Sequence, residues 1–145
     1  MASRKIFFEK DRPVHVIFRA LVNIFEERSD CCRFIFQFHA TNLGKVGFNV
    51  NARDAIKAGE ALLYGEEIPK SFIIKEHPPL VHLLDFAEVI NHGHFYLIPK
   101  IENILPIFMQ RLNGGFAKYF NIIHDRRDAV FGSRYKGIPV TTDFQ

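Results

Sequence analysis

Apolar and polar positions along the chain change period several times, and each change predicts an element. From Pro13 the run Val14-His15-Val16-Ile17-Phe18 is β-branched and aromatic, bounded by Arg12-Pro13 and by Arg19, which predicts a buried first strand. Between Ser29 and Leu43, Cys32, Ile35, Phe36 and His39 recur at helical spacing, with Ser29 or Asp30 as N-cap and Gly44 as the stop. Residues Ala52 to Leu63 (ARDAIKAGEALL) are good helix formers and predict a second helix closed by Gly65. The rest of the stretch from Gly44 to Pro79 carries little pattern beyond a short strand over Phe72 to Lys75. Leu80 to Ile90 is mostly apolar, and after Asn91-His92-Gly93 a second run, His94 to Ile98, stops at Pro99; both read as strands of a central sheet. From Asn103 to Ile123, the residues Ile107, Phe108, Leu112, Phe116, Tyr119, Phe120 and Ile123 keep the helical period, with Asn103 as N-cap and Pro106 in the tolerant first turn. Gly114-Gly115 should weaken or bend this helix. The basic segment His124 to Val140 is irregular and ends in a possible strand.

This alternation predicts the α+β or α/β class, settled here as α+β, with a central antiparallel sheet and helices packed on it. A chain of 145 residues, 48% hydrophobic, suits one domain over 1–145. Sixteen Phe and no Trp point to an aromatic and aliphatic core. The net charge of +3 permits a polyanionic partner without requiring one. Cys31 and Cys32 are adjacent, a spacing that suits neither a mutual disulfide nor a zinc knuckle, and they read as small buried residues in a reducing compartment. Arg4 and Lys5 precede only Ile6, Phe7 and Phe8 before Glu9, so no secretory region is expected, and no apolar run is long enough to span a bilayer. The expected location is cytoplasmic.

The candidate chemistry lies at His92 and His94. On an extended strand, residues two apart point to one face, so both imidazoles can reach one ion while Gly93 faces the other way. Imidazole is accepted by manganese, zinc and nickel and less readily by magnesium, and an added oxygen ligand tilts the choice toward magnesium or manganese. Asp85 and Glu88 could supply that oxygen; parity places Glu88 with His92 and His94 if the strand is unbroken. His15, on the first strand, either joins the site or satisfies a buried polar position. His77, His82 and His124 have no partner at ligand spacing and read as structural or surface residues.

The run NHGHFYLIP, Asn91 to Pro99, resembles the His-hydrophobic-His signature of HUH tyrosine transposases, the single-strand insertion-sequence type, especially the group associated with repetitive extragenic palindromes. The resemblance extends to Pro13–Arg19, to Ile24-Phe25 with Arg33-Phe34, and to Phe108–Leu112 with Phe116–Asn121. It also takes in Arg126-Arg127 through Phe131, Arg134-Tyr135-Lys136 and Pro139-Val140. Two departures stand out: Gly93 replaces a bulky residue between the histidines, and the stretch from Gly44 to Pro79 has no counterpart. The resemblance implies a ferredoxin-like, RRM-like sheet and a divalent magnesium or manganese ion at His92 and His94. It also implies single-stranded hairpin DNA as partner, bound by Arg126, Arg127, Arg134 and Lys136. From charge alone, that cluster reads equally well as a solvated turn.

The implied activity is DNA cleavage and strand transfer in transposition, through a covalent phosphotyrosine. In the family the nucleophile lies on a helix after the basic segment, with Asn or Gln four residues later. Tyr64, Tyr96, Tyr119 and Tyr135 all lack that companion, and the sequence given stops at Gln145. The expectation is a domain lacking the nucleophile helix, catalytically poor, with a binding module for hairpin single strands as the alternative. Tyr96 would share the face of His92 and His94, Tyr119 falls on a helical packing stripe, and Tyr135 suits base stacking or sheet packing.

Overall fold

The computed structural model describes residues 8–140; the stretch Arg4 to Phe7, read above for a secretory signal, lies outside them. The elements are β1 (Val14–Arg19), α1 (Arg28–Leu43), β2 (Gly44–Val46), α2 (Ala52–Leu63), β3 (Ile73–Lys75), β4 (Val81–Val89), β5 (His92–Pro99), α3 (Ile104–Ile123) and β6 (Lys136–Pro139). The main sheet has the order β4-β5-β1-β6, with every neighbouring pair antiparallel. Without β2, α2 and β3, the elements run β-α-β-β-α-β, the split βαβ topology of ferredoxin-like folds. The α+β class is therefore observed. The stretch from Gly44 to Pro79 forms an insertion, a two-stranded β2-β3 ribbon with α2 between its strands, so the helix expected over Ala52 to Leu63 and the strand expected over Phe72 to Lys75 are both present.

One face of the sheet is covered by helices. Val14, Val16 and Phe18 of β1 and Phe95 and Leu97 of β5 form a single buried cluster with Phe34 and Phe38 of α1 and with Leu105, Phe108, Leu112 and Phe116 of α3. Behind α1 lies a second cluster, in which Phe36 and Ala40 meet Ala55 and Ala58 of α2 and Ile73 of β3. Burial of α1 on two sides explains why its pattern misled. Cys32, Phe34, Phe36, Phe38 and Ala40 are all buried, whereas Ile35 and His39, placed on the expected stripe, are only half-buried. The two helices touch at Gly59, where any Cβ would collide with the Cys32 carbonyl.

Several expected details differ. Helix α1 begins two to three residues early, with Glu27 as N-cap and no side-chain cap, so neither Ser29 nor Asp30 caps it. Asn103 stands before α3 in the left-handed region, φ 56°, and its side chain makes no cap. Helix α3 continues through Gly114-Gly115, where a Cβ at Gly115 would meet the Gln37 side chain of α1 at 2.6 Å. Ile107 and Ile123 of the expected stripe are exposed, and Leu105 and Met109 are buried in their place. Among the described residues no helix is long and apolar enough to cross a membrane.

Candidate metal and nucleic-acid face

Strand pairing fixes what occupies the other face of the sheet. Directly opposed residues in an antiparallel pair share a face, so the registers set out three rows across it. The first holds Val89, His92 and Arg19; the second Ala87, His94, Ile17 and Lys136; the third Asp85, Tyr96, His15 and Ile138. None of these side chains belongs to either buried cluster. The alternation along β5 is strict, with His92, His94 and Tyr96 half-buried on this face and Gly93, Phe95 and Leu97 buried on the other.

Adjacency of β1 and β5 brings His15 to the pair. His15 Nε2 lies 3.1 Å from His94 Nδ1, and the rings stack with centroids 5.3 Å apart. His92 meets His94 edge to face at 5.1 Å, and its Nδ1 lies 3.1 Å from Asn91 Oδ1. Burial, then the neighbouring His92, His15 and Arg19, push the His94 imidazole below its ordinary value, which favours the neutral form that binds metals. With the proton on His94 Nδ1, the bond to His15 leaves Nε2 free and fixes the ring, the usual way an outer partner orients a metal-binding histidine. His92 and His94 thus present two neighbouring imidazoles as candidate donors, with His15 against the second of them; among the described residues the three histidines do not bring their donor atoms together closely enough to form a three-ligand group.

Glu88 does not join them. The chain reverses at Ile90-Asn91, so Glu88 pairs with Gly93 and shares its helix-covered face. Burial pushes its carboxyl up to about 8, and Glu88 Oε2 is buried without a hydrogen-bond partner among the described residues. Asp85 does reach the open face, opposite Tyr96, where its Oδ1 accepts the Phe86 N–H at 2.9 Å. Gly93 now has a reason. It opposes Phe18, whose ring covers it: a Cβ at Gly93 would lie 2.7 Å from Phe18 Cε1 and closer still to Cζ. The bulk missing between the histidines is supplied from the neighbouring strand.

The tyrosines separate cleanly. Tyr96 is on the open face; Tyr119 is buried, with its hydroxyl donating to Asp30 Oδ1 at 3.2 Å, and burial with the Asp30 charge pushes it up to about 12. Tyr135 is half-buried, packs against the main core, and is raised by burial. Tyr64 is exposed on the far side of α1, where its hydroxyl accepts from Arg28.

The four basic candidates are not one patch. Arg126 is half-buried, donates to Asn121 Oδ1 at 2.8 Å and lies over Phe120, so it is committed to α3. Arg127 and Arg134 are exposed on the loop before β6, and Lys136 reaches the open face. That loop is tied to the end of β1 by the Leu21 N–H, which donates to the Val130 carbonyl at 2.8 Å.

A second group was missed in the sequence. Glu27, Asp30 and His124 have ligand atoms all within 4.8 Å of one another, a spacing that could hold a metal ion. His124 is therefore not partnerless: its Nε2 lies 2.8 Å from Asp30 Oδ2 and 3.6 Å from Glu27 Oε2. The two halves come from the start of α1 and the end of α3, 94 residues apart, so no local motif announces them. Arg19 was also missed, although parity from His15 through Ile17 would have placed it on the histidine face. Both cysteines are free, Cys32 buried and Cys31 half-buried with its thiol pushed up to about 12 by burial. In comparisons with known proteins, no family model and no curated sequence matches the chain.

Proposed function

We propose that the open sheet face binds single-stranded DNA in the manner of an HUH-type transposase domain, around a divalent ion held by His92 and His94. The observation that carries this reading is the meeting of His15, His92, His94 and Tyr96 on one face left outside both cores. Manganese suits the imidazole-rich set better than magnesium. When bound, such an ion polarises a phosphodiester oxygen. His15 holds the His94 ring; Tyr96, paired with His15 on the same face, can stack on a base and is the tyrosine, among the described residues, that can present a hydroxyl to a phosphate there.

A second reading is a binding module without strand cleavage. It is favoured by the positions of Tyr119 and Tyr135, which burial removes from the nucleophile's role. A labelled single-stranded hairpin oligonucleotide, followed by anisotropy and on denaturing gels with and without manganese, tests both. Metal-stimulated binding that is lost in His92→Ala and His94→Ala supports the site. A covalent adduct absent from Tyr96→Phe supports cleavage, whereas binding without adduct supports the module. No binding at low salt refutes both.

A further inference from the structure

We infer that Arg19 and Lys136 form a phosphate cradle beside the histidines, holding one phosphodiester group of a single strand against the open face. This deepens the proposed function and rests on it. Arg19 stands directly opposite His92, and Lys136 directly opposite Ile17, whose other neighbour is His94. The two cations are thus diagonal neighbours on adjacent strands, a relation that spaces backbones by about 7–8 Å and lets long side chains converge. Both are exposed, and among the described residues neither lies within ion-pair distance of a carboxylate.

The surroundings favour an anion between them. Ile17 and Ile138 give the cradle an uncharged floor, and among the described residues paired across this face the carboxylate, Asp85, lies on the far edge strand beyond Tyr96. An arginine fork grips two oxygens of one phosphate, while a lysine acts as a mobile point charge, so the pair fixes one group without reading a base. A phosphate so placed borders His92 on one side and the His94 row on the other. Arg19 thereby serves as a positioning residue for the strand.

The experiment measures oligonucleotide affinity against salt for the parent, Arg19→Gln, Lys136→Gln, Arg19→Lys and, as a remote surface control, Lys57→Gln. Each lost contact to a single strand flattens the logarithmic salt slope by about 0.7, so raising salt from about 50 to about 200 mM costs each glutamine variant about 2.6-fold less affinity than the parent. Arg19→Lys and Lys57→Gln keep the parent slope, and Lys57→Gln also keeps the parent manganese affinity measured without DNA. Unchanged slopes in both glutamine variants, with the parent still binding, overturn the cradle alone; a parent that binds no strand overturns the DNA reading with it. Competition by inorganic phosphate at matched phosphate concentration would show a free-anion site and overturn the strand assignment.

Discussion

Replacing Gly93 by alanine tests how the histidine strand is held. The added methyl points into the helix-covered side and meets Phe18, at 2.7 Å from Cε1 and 3.1 Å from Cε2. Phe18 cannot swing away, because its ring is 2% exposed and packed on Phe25, Phe34, Phe95 and Phe131. Overpacking of this kind costs roughly 1–3 kcal/mol. In a chain of this length that corresponds to a fall in Tm of roughly 2–12 °C. The compensating change is Phe18→Leu, which alone opens a cavity and costs a comparable amount. Combined with Gly93→Ala, the smaller side chain makes room for the methyl, so the double variant is more stable than the sum of the two losses predicts, by about 1 kcal/mol. Chemical denaturation of the four proteins measures this coupling. An alanine variant within about 0.5 kcal/mol of the parent, or losses that simply add, would refute the account of Gly93 as the seat of the Phe18 ring.

Glu88 makes stability depend on pH. Its folded value of about 8 lies above the ordinary 4.5, so its contribution is fully present below about pH 4.5 and is lost as pH rises toward 8. The slope approaches about 1.4 kcal/mol per pH unit inside that window, and Glu88→Gln should abolish this component in urea titrations at a series of pH values. Asp30→Ala removes the acceptor shared by Tyr119 and His124 and should cost about 3 kcal/mol, seen as a lower urea midpoint, while oligonucleotide affinity in the folded protein stays at the parent level. His15→Phe keeps the volume on β1 but loses the bond that orients His94; calorimetry should find manganese affinity reduced about 10-fold or more with stability little changed.

The sequence carried the sheet strands well because β1 and β5 alternate over one buried face, and the turn at Asn91 separates the two apolar runs before and after it. It carried α1 less well, since a helix buried on both sides shows no single stripe, and Phe34, Phe36 and Phe38 defeat the search for one. The insertion β2-α2-β3 was legible in α2, where Asn51 caps the helix by accepting from the Asp54 N–H at 2.8 Å and Gly65 takes φ 73° at its end, and in β3, where the strand expected over Phe72 to Lys75 stands at Ile73–Lys75; the three residues of β2 gave no pattern. His92 and His94 could be paired by parity alone. His15 needed the β1-β5 register, the placing of Glu88 hung on an unbroken strand that the hairpin at Ile90-Asn91 interrupts, and the Asp30–His124 contact depends on α1 and α3 packing side by side.

The most direct test of the histidine face is paramagnetic broadening of backbone amide signals as manganese is titrated into the isotopically labelled protein. The account predicts that signals of His92, Gly93, His94 and their β1 partners from His15 to Arg19 broaden first, and that His94→Ala removes the effect. Broadening centred instead on Glu27, Asp30 and His124, or its absence from β5, would contradict the assignment of the metal to the open face.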